Sequence, residues 1–165
     1  MHKPILDACC GGRMFWFDKS NPKVLFCDNR DFSGDLCDGR TFEVKPDMIC
    51  DFTALPFADE SFFHVIFDPP HTSGGDNSWI VKKYGNLPKD WRDYIRAGFD
   101  ECWRVLKING TLVFKWNEDK VAVSDIIKAI GREPLYGQKK RIGNKTHWLC
   151  FFKADSEGIC EDYYG

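Results

Sequence analysis

Four aspartates follow short apolar segments that are rich in β-forming residues. The segments are residues 4–8, 23–27, 48–50 and 65–67, and the acids at their ends are Asp7, Asp28, Asp51 and Asp68. Carboxylates accept hydrogen bonds from hydroxyl and amine groups. One such aspartate could be an ordinary turn or N-cap residue. Four in succession favour a ligand site, because ligands of open parallel sheets bind beyond the carboxyl ends of the strands.

The last acid begins the tetrapeptide Asp68-Pro69-Pro70-His71. Proline has a fixed φ angle and no backbone donor, so regular strand pairing must stop there. Taken alone, the tetrapeptide fits a plain strand end as well as a site.

The elements that must position these residues alternate along the chain. After the fourth strand come an amphipathic helix over 89–107, a turn at Asn109-Gly110 and a strand over 111–116. A helix over 122–130 and a hairpin of residues 134–138 and 146–152 follow. The alternation predicts an α/β fold with a Rossmann-like, mostly parallel sheet and helices on both faces. We expect one domain over 1–165, with a basic hairpin loop at 138–146 and a loose tail at 155–165.

Composition limits the functional classes. The chain has 165 residues, of which 43% are hydrophobic and 29% charged, and its net charge is −2. No apolar run approaches the roughly 20 residues needed to span a bilayer, and the N-terminus lacks the apolar core of a signal peptide, so we expect a cytoplasmic protein without membrane contact. Any contact with nucleic acid must be local.

The eight cysteines form no Cys-x-x-Cys pair, so we predict reduced core thiols and no metal site.

The turn after the first strand, "DACCGGR", lacks the Gly-x-Gly-x-x-Gly pattern that brings backbone amides close to a pyrophosphate. This argues against NAD and FAD. Asp28 ends the second strand, about 20 residues later, where an acid can accept both ribose hydroxyls. The pattern therefore indicates a nucleoside ligand without a pyrophosphate.

Three segments, "ILDACCGGR", "DFTALPFADESFFHVIFDPP" and "ECWRVLKINGTLVFKW", together with Asp28, resemble the class I S-adenosylmethionine-dependent methyltransferases in order and spacing. The resemblance covers nearly the whole chain. It implies a seven-stranded sheet whose last strand is antiparallel and comes from the C-terminal hairpin.

The resemblance also implies roles for residues. The turn that would hold the methionine part of S-adenosylmethionine consists of Asp7, Ala8, Cys9, Cys10, Gly11 and Gly12. Asp28 would bind the ribose and Asn29 would lie beside the adenine, while Asp51 and Phe52 would contact the adenine amine and face.

Within that superfamily, an Asp-Pro-Pro-aromatic tetrapeptide resembles the mark of enzymes that methylate planar nitrogens, usually adenine N6 or cytosine N4. Asp68 and the Pro69 carbonyl would accept the two N–H groups of the amine, with Pro70 as a rigid support. His71 replaces the usual aromatic residue, and we expect it to stack on or orient the substrate rather than act as a base.

Two segments are candidates for gripping the substrate. Residues 72–88 are predicted to form a lid over the site, with Trp79, Lys82, Lys83 and Tyr84 as contacts. The second is the basic loop with Lys139, Lys140 and Arg141, which could equally be a solvated hairpin tip. Trp116 is expected either at the same mouth or in the core.

The sequence therefore predicts a compact methyltransferase, resembling small phage or prophage DNA methyltransferases, that acts on an exocyclic amine of a base in DNA or RNA. Because no recognition domain is visible, we expect weak specificity, an RNA substrate, or help from a partner or a second copy. The alternatives are a small-molecule or protein N-methyltransferase, and a non-catalytic subunit that only binds S-adenosylmethionine.

Overall fold

A computed structural model of the protein describes residues 3–35, 39–75, 78–138, 143 and 145–155. The strands are β1 (Ile5–Asp7), β2 (Val24–Asp28), β3 (Phe32–Asp35), β4 (Thr41–Val44), β5 (Met48–Ile49), β6 (Phe62–Phe67), β7 (Leu106–Asn117), β8 (Tyr136–Gly137) and β9 (Thr146–Phe152). The helices are α1 (Trp79–Tyr84), α2 (Trp91–Val105) and α3 (Val123–Ile130).

The main sheet has seven strands in the order β5-β2-β1-β6-β7-β9-β8. Parallel pairing joins β5, β2, β1, β6 and β7, whereas β9 runs antiparallel to both β7 and β8. The predicted fold class is thus confirmed. The chain leaves β1 toward β2 on one side and returns to β6 on the other, which places the switch in strand order beside β1.

Alternation along β7 divides the sheet into two faces. Leu112, Phe114 and Trp116 are fully buried in the core that α2 and α3 cover, and Phe99 of α2 meets the Phe114 ring edge to face. Because side chains of a strand alternate, Lys115 points to the opposite face. β7 therefore contributes apolar side chains to the core on one face of the sheet and the Lys115 side chain to the other face.

Three local features differ from the sequence prediction. An antiparallel hairpin of β3 and β4 lies between β2 and β5, and α1 occupies part of the predicted lid. The expected turn at Asn109-Gly110 is instead an irregularity within β7, where Asn109 has a φ of 61° and the pairing with β6 shifts register. Asparagine tolerates this left-handed conformation better than most residues, so α2 runs directly into β7.

The hairpin closes over the turn that follows β1. Phe42 of β4 is buried, and its ring would lie 2.6 Å from a Cβ at position 12. Gly12 is therefore required for this close contact. No helix in the described part of the chain is long and apolar enough to cross a membrane.

Candidate functional site

A cavity of about 540 Å³ opens where β1, β2 and β6 end. It brings together most of the predicted site, namely Cys9, Cys10, Gly11, Gly12, Asp28, Asn29, Phe52, Asp68, Pro69, Pro70, His71, Lys83 and Tyr84. The residues assigned to a cofactor and those assigned to methyl transfer thus share one continuous space.

Asp28, the last residue of β2, connects segments that line the cavity. Its side chain is almost fully buried; Oδ2 accepts a hydrogen bond from the Gly11 backbone N–H at 2.9 Å, and Oδ1 accepts from the Arg30 Nε at 3.0 Å. Arg30 also donates to the Lys82 carbonyl of α1 at 3.0 Å. The acid therefore links the glycine turn to the helix that covers the cavity.

Asp7 and Ala8, which the sequence also assigned to the cofactor, do not line the cavity. Asp7 is fully buried and accepts from Trp16 Nε1 at 2.7 Å and from the Cys9 backbone N–H at 3.4 Å. Burial raises the pKa of this carboxyl from 3.8 to about 7. The Asp7 side chain thus packs inside the turn that follows β1, and the neighbouring Ala8 is also buried.

Of the two residues after β5 that were predicted to contact the adenine, Asp51 and Phe52, only Phe52 lines the cavity. Asp51 is exposed and lies outside the cavity lining, and its Oδ1 accepts from the Thr53 backbone N–H and Oγ1, both at 2.8 Å. Phe52 is 3% exposed, lines the cavity and packs against Tyr94, with ring centroids 4.8 Å apart. Tyr94 also lines the cavity. Tyr94 lies in the amphipathic helix predicted over 89–107 and was not among the predicted site residues.

Asp68 has an ionic partner that the sequence did not indicate. Its Oδ2 accepts from Lys115 Nζ at 2.5 Å, and its backbone N–H donates to Cys9 Sγ at 3.2 Å. Oδ1 is buried and has no hydrogen-bond partner among the described residues. Burial raises the pKa of the Asp68 carboxyl, while the nearby Lys115 ammonium opposes the rise. A buried acceptor is thus left open beside an ion pair.

The Lys115 ammonium group also contacts two aromatic rings. Its Nζ lies 5.4 Å from the centroid of the Phe15 ring and 5.7 Å from that of Trp148, its register partner on β9. These two rings meet edge to face at 5.4 Å. Both Lys115 and Phe15 line the cavity. The alternating pattern of "TLVFKW" was the signal for Lys115, since a residue next to a core Trp116 must face the other way.

His71 lines the cavity with its ring centroid 5.6 Å from Tyr84 and 6.2 Å from Trp116. Burial lowers the pKa of its imidazole, which favours the neutral ring. Its Nδ1 is buried without a partner in the described part of the chain.

The remaining predicted contacts lie elsewhere. Trp116 is fully buried in the core, and its Nε1 donates to the Val121 carbonyl at 2.9 Å, so it does not line the mouth. Trp79 is 45% exposed and Lys82 is also exposed, and neither lines the cavity. Lys139, Lys140 and Arg141, like residues 156–165 of the predicted tail, lie outside the described residues.

No protein-family model and no curated protein matches the sequence. Solved structures do match. The PH0226 protein of Pyrococcus horikoshii OT3 is 14% identical with a TM-score of 0.58, and the match covers 92% of this chain and 81% of that one. A TehB-like SAM-dependent methyltransferase from Corynebacterium glutamicum ATCC 13032 is 16% identical with a TM-score of 0.54, covering 93% and 81%. A SAM-dependent methyltransferase from Methanosarcina mazei is 12% identical with a TM-score of 0.51, covering 91% and 92%. The chain shares their fold.

Proposed function

We propose that this protein is an S-adenosylmethionine-dependent methyltransferase that methylates an exocyclic amino nitrogen of a nucleic-acid base, adenine N6 or cytosine N4. One observation carries the proposal. The cavity is lined by a glycine turn, a ribose-type acid and an aromatic wall, and also by Asp68-Pro69-Pro70-His71, whose first residue contacts Cys9 of that turn. A methyl donor and an amine could therefore meet within it, as the resemblance of the sequence also implies.

The lining fits the cofactor. Asp28 Oδ1 already accepts two hydrogen bonds from Arg30 and Oδ2 accepts one from Gly11, so Oδ2 keeps one acceptor site for a ribose hydroxyl. Phe52 and Tyr94 provide an apolar wall for the adenine ring, with Asn29 at its edge. At Gly11 there is open space where a Cβ would stand, so the turn leaves room for the methionine part. When bound, S-adenosylmethionine supplies an electrophilic methyl group on a positively charged sulfur.

Asp68 would prepare the amine. The lone pair of an aromatic amine is delocalised into the ring, which makes it a weak nucleophile. The free Oδ1 of Asp68 can accept one N–H of this amine and favour a pyramidal nitrogen, whose lone pair then points toward the methyl group. Positive charge would grow on the nitrogen as its bond to the methyl group forms and the bond from methyl to sulfur breaks, so an acceptor fixed in advance stabilises the transition state more than the ground state. The sulfur would leave as a neutral thioether, and the methylated nitrogen is acidic enough to lose its extra proton to solvent.

The neighbouring residues would hold the base in place. Pro69 and Pro70 restrict the backbone after β6 and so fix the direction of the Pro69 carbonyl, which would accept the second N–H of the amine. The neutral ring of His71 can stack on a planar base, with Tyr84 beside it. Lys83, at the rim of the cavity, places a positive charge where a phosphate backbone would pass.

The test uses S-adenosylmethionine with a labelled methyl group. The protein is incubated separately with unmethylated DNA, total RNA and a protein fraction, and the labelled product is identified by mass spectrometry after digestion. We expect label on adenine N6 or cytosine N4. Label on a ring carbon, a ribose or a protein side chain would contradict the amine assignment.

A variant pair tests the role of Asp68. Asp68→Ala should lower kcat by about 100-fold or more, the usual effect of removing one transition-state hydrogen-bonding group, while calorimetry still detects cofactor binding. Asp100→Ala removes an exposed acid of α2 outside the cavity and serves as the matched control. Wild-type turnover by Asp68→Ala would disprove the role.

A further inference from the structure

Lys115 and Asp68 together present a donor and an acceptor side by side in the wall of the cavity. Lys115 Nζ uses one hydrogen on Asp68 Oδ2, and Asp68 Oδ1 has no partner among the described residues. An ammonium group has three hydrogens. The pair can therefore offer one further acceptor and at least one further donor to the same substrate.

We propose that Lys115 determines substrate specificity by donating a hydrogen bond to the ring nitrogen next to the amine that is methylated. This inference rests on the proposed function and narrows its substrate class. The substrate must present an N–H donor beside a ring lone pair. Adenine does so with N6 beside N1 or N7, and cytosine with N4 beside N3.

Charge supports this assignment over binding of an anionic substrate group. The Lys115 ammonium already pairs with the Asp68 carboxylate, with side chains only 21% and 17% exposed. An anion brought to Lys115 would lie beside a buried carboxylate, and such like-charge contacts are unfavourable. A neutral ring nitrogen adds a hydrogen bond without adding charge.

The surroundings favour a flat heterocycle over a carboxamide side chain, which carries a similar donor and acceptor. Phe15 and Trp148 hold the Lys115 ammonium by cation–π contacts, so its position is restricted before substrate enters. His71 and Tyr84 line the cavity nearby. Aromatic faces of this kind stack on planar rings, whereas a carboxamide offers little area for stacking.

The experiment compares oligonucleotides in which one nitrogen of the target base is replaced by carbon. For adenine these are 1-deaza and 7-deaza substitutions, which remove a ring nitrogen adjacent to N6, and 3-deaza substitution, which removes a remote one and is the matched control. For cytosine the substitution is 3-deaza. We expect one adjacent substitution to lower kcat/KM by about 10-fold or more, the value of a hydrogen bond to a charged group, and the control to change it little.

Lys115→Met separates this role from general support of the site. It should lower activity toward every substrate, because Asp68 loses its cation, but it should also abolish the preference for the intact ring. Asp68→Asn should lower activity and keep the preference, since Lys115 remains. Should Lys115→Met turn over too slowly for rates to be compared, the dissociation constants of the same oligonucleotides must show the preference in the wild type and its loss in the variant.

The outcomes are distinguishable. Equal rates and equal affinities for the intact and both adjacent deaza substrates overturn the role of Lys115 and leave the proposed function standing. A preference that survives in Lys115→Met overturns it as well. Label found only on a protein carboxamide, or on no base of any substrate, overturns the proposed substrate class and this inference with it.

Discussion

Asp7→Asn should change how the stability of the protein depends on pH. Asp7 is fully buried beside the turn that follows β1, and its carboxylate accepts from Trp16 Nε1 and the Cys9 backbone N–H. Burial is the largest cause of its raised pKa, with further contributions from Asp68 and Asp28, and the hydrogen bonds oppose the rise. Asparagine keeps the shape and an oxygen acceptor for Trp16, but it carries no charge.

The sign follows from proton linkage. The pKa of Asp7 is about 7 in the folded protein against 3.8 without the fold. Between these values the folded state holds a proton that the unfolded state has lost, so the free energy of unfolding falls as pH rises. The difference corresponds to roughly 4 kcal/mol by pH 8, at about 1.4 kcal/mol per pH unit. The asparagine variant avoids this loss but gives up the weak bond from Cys9, which costs about 1 kcal/mol.

The variant should therefore be less stable than the wild type by about 1 kcal/mol near pH 4 and more stable by roughly 3 kcal/mol at pH 8. Urea unfolding followed by circular dichroism at pH 4, 5, 6, 7 and 8 measures the difference. Asp68 and His71 titrate in both proteins, so their contributions largely cancel. Asp100→Asn, at an exposed position of α2, is the control. A stability difference that stays constant with pH would refute the assignment of a buried, protonated Asp7.

Three further substitutions probe the frame of the site. Gly98→Ala places a Cβ 2.5 Å from the Phe52 ring. We expect this overpacking to destabilise the protein by about 1–3 kcal/mol, measured by thermal denaturation. It should also weaken cofactor binding, measured by calorimetry. Arg104→Lys loses the bidentate contact with Glu101, at 2.7 and 2.8 Å. It should lower the free energy of unfolding in urea by about 1–2 kcal/mol. An unchanged urea midpoint would show that the contact does not stabilise the protein. Phe17→Ser removes a fully exposed ring and should change stability by less than about 0.5 kcal/mol, with a larger loss indicating a contact that the structure lacks.

The sequence was informative where local pattern and tertiary role coincide. The strands that end at Asp7, Asp28 and Asp68 were predicted because apolar runs stop at polar residues, and α2 because its apolar residues repeat with helical spacing. The hairpin of β3 and β4 was missed. Its packing depends on a contact between Phe42 and the remote Gly12, which no local pattern encodes.

For the site, the sequence predicted individual residues but not contacts between residues that are far apart in the chain. The position of Asp68 follows from its own segment, but its partner Lys115 is 47 residues away and is set by the pairing of β6 with β7. Asp7 was placed at the end of its strand, but nothing local indicates that its carboxylate accepts a hydrogen bond from Trp16. Trp116 could face the mouth or the core, and only the register of β7 decides between them.

The alternation in β7 has a consequence for how the substrate preference of this protein can change. Leu112, Phe114 and Trp116 fill the core, whereas Val113 and Lys115 lie on the other face, the latter at the cavity wall. A substitution at position 115 can therefore alter the cavity wall without removing a core side chain. Insertion or deletion of one residue would exchange the two sets, placing Lys115 in the core and a tryptophan at the wall. New specificities should thus be reached by point substitution in this strand, and libraries that hold its length fixed should retain folded members.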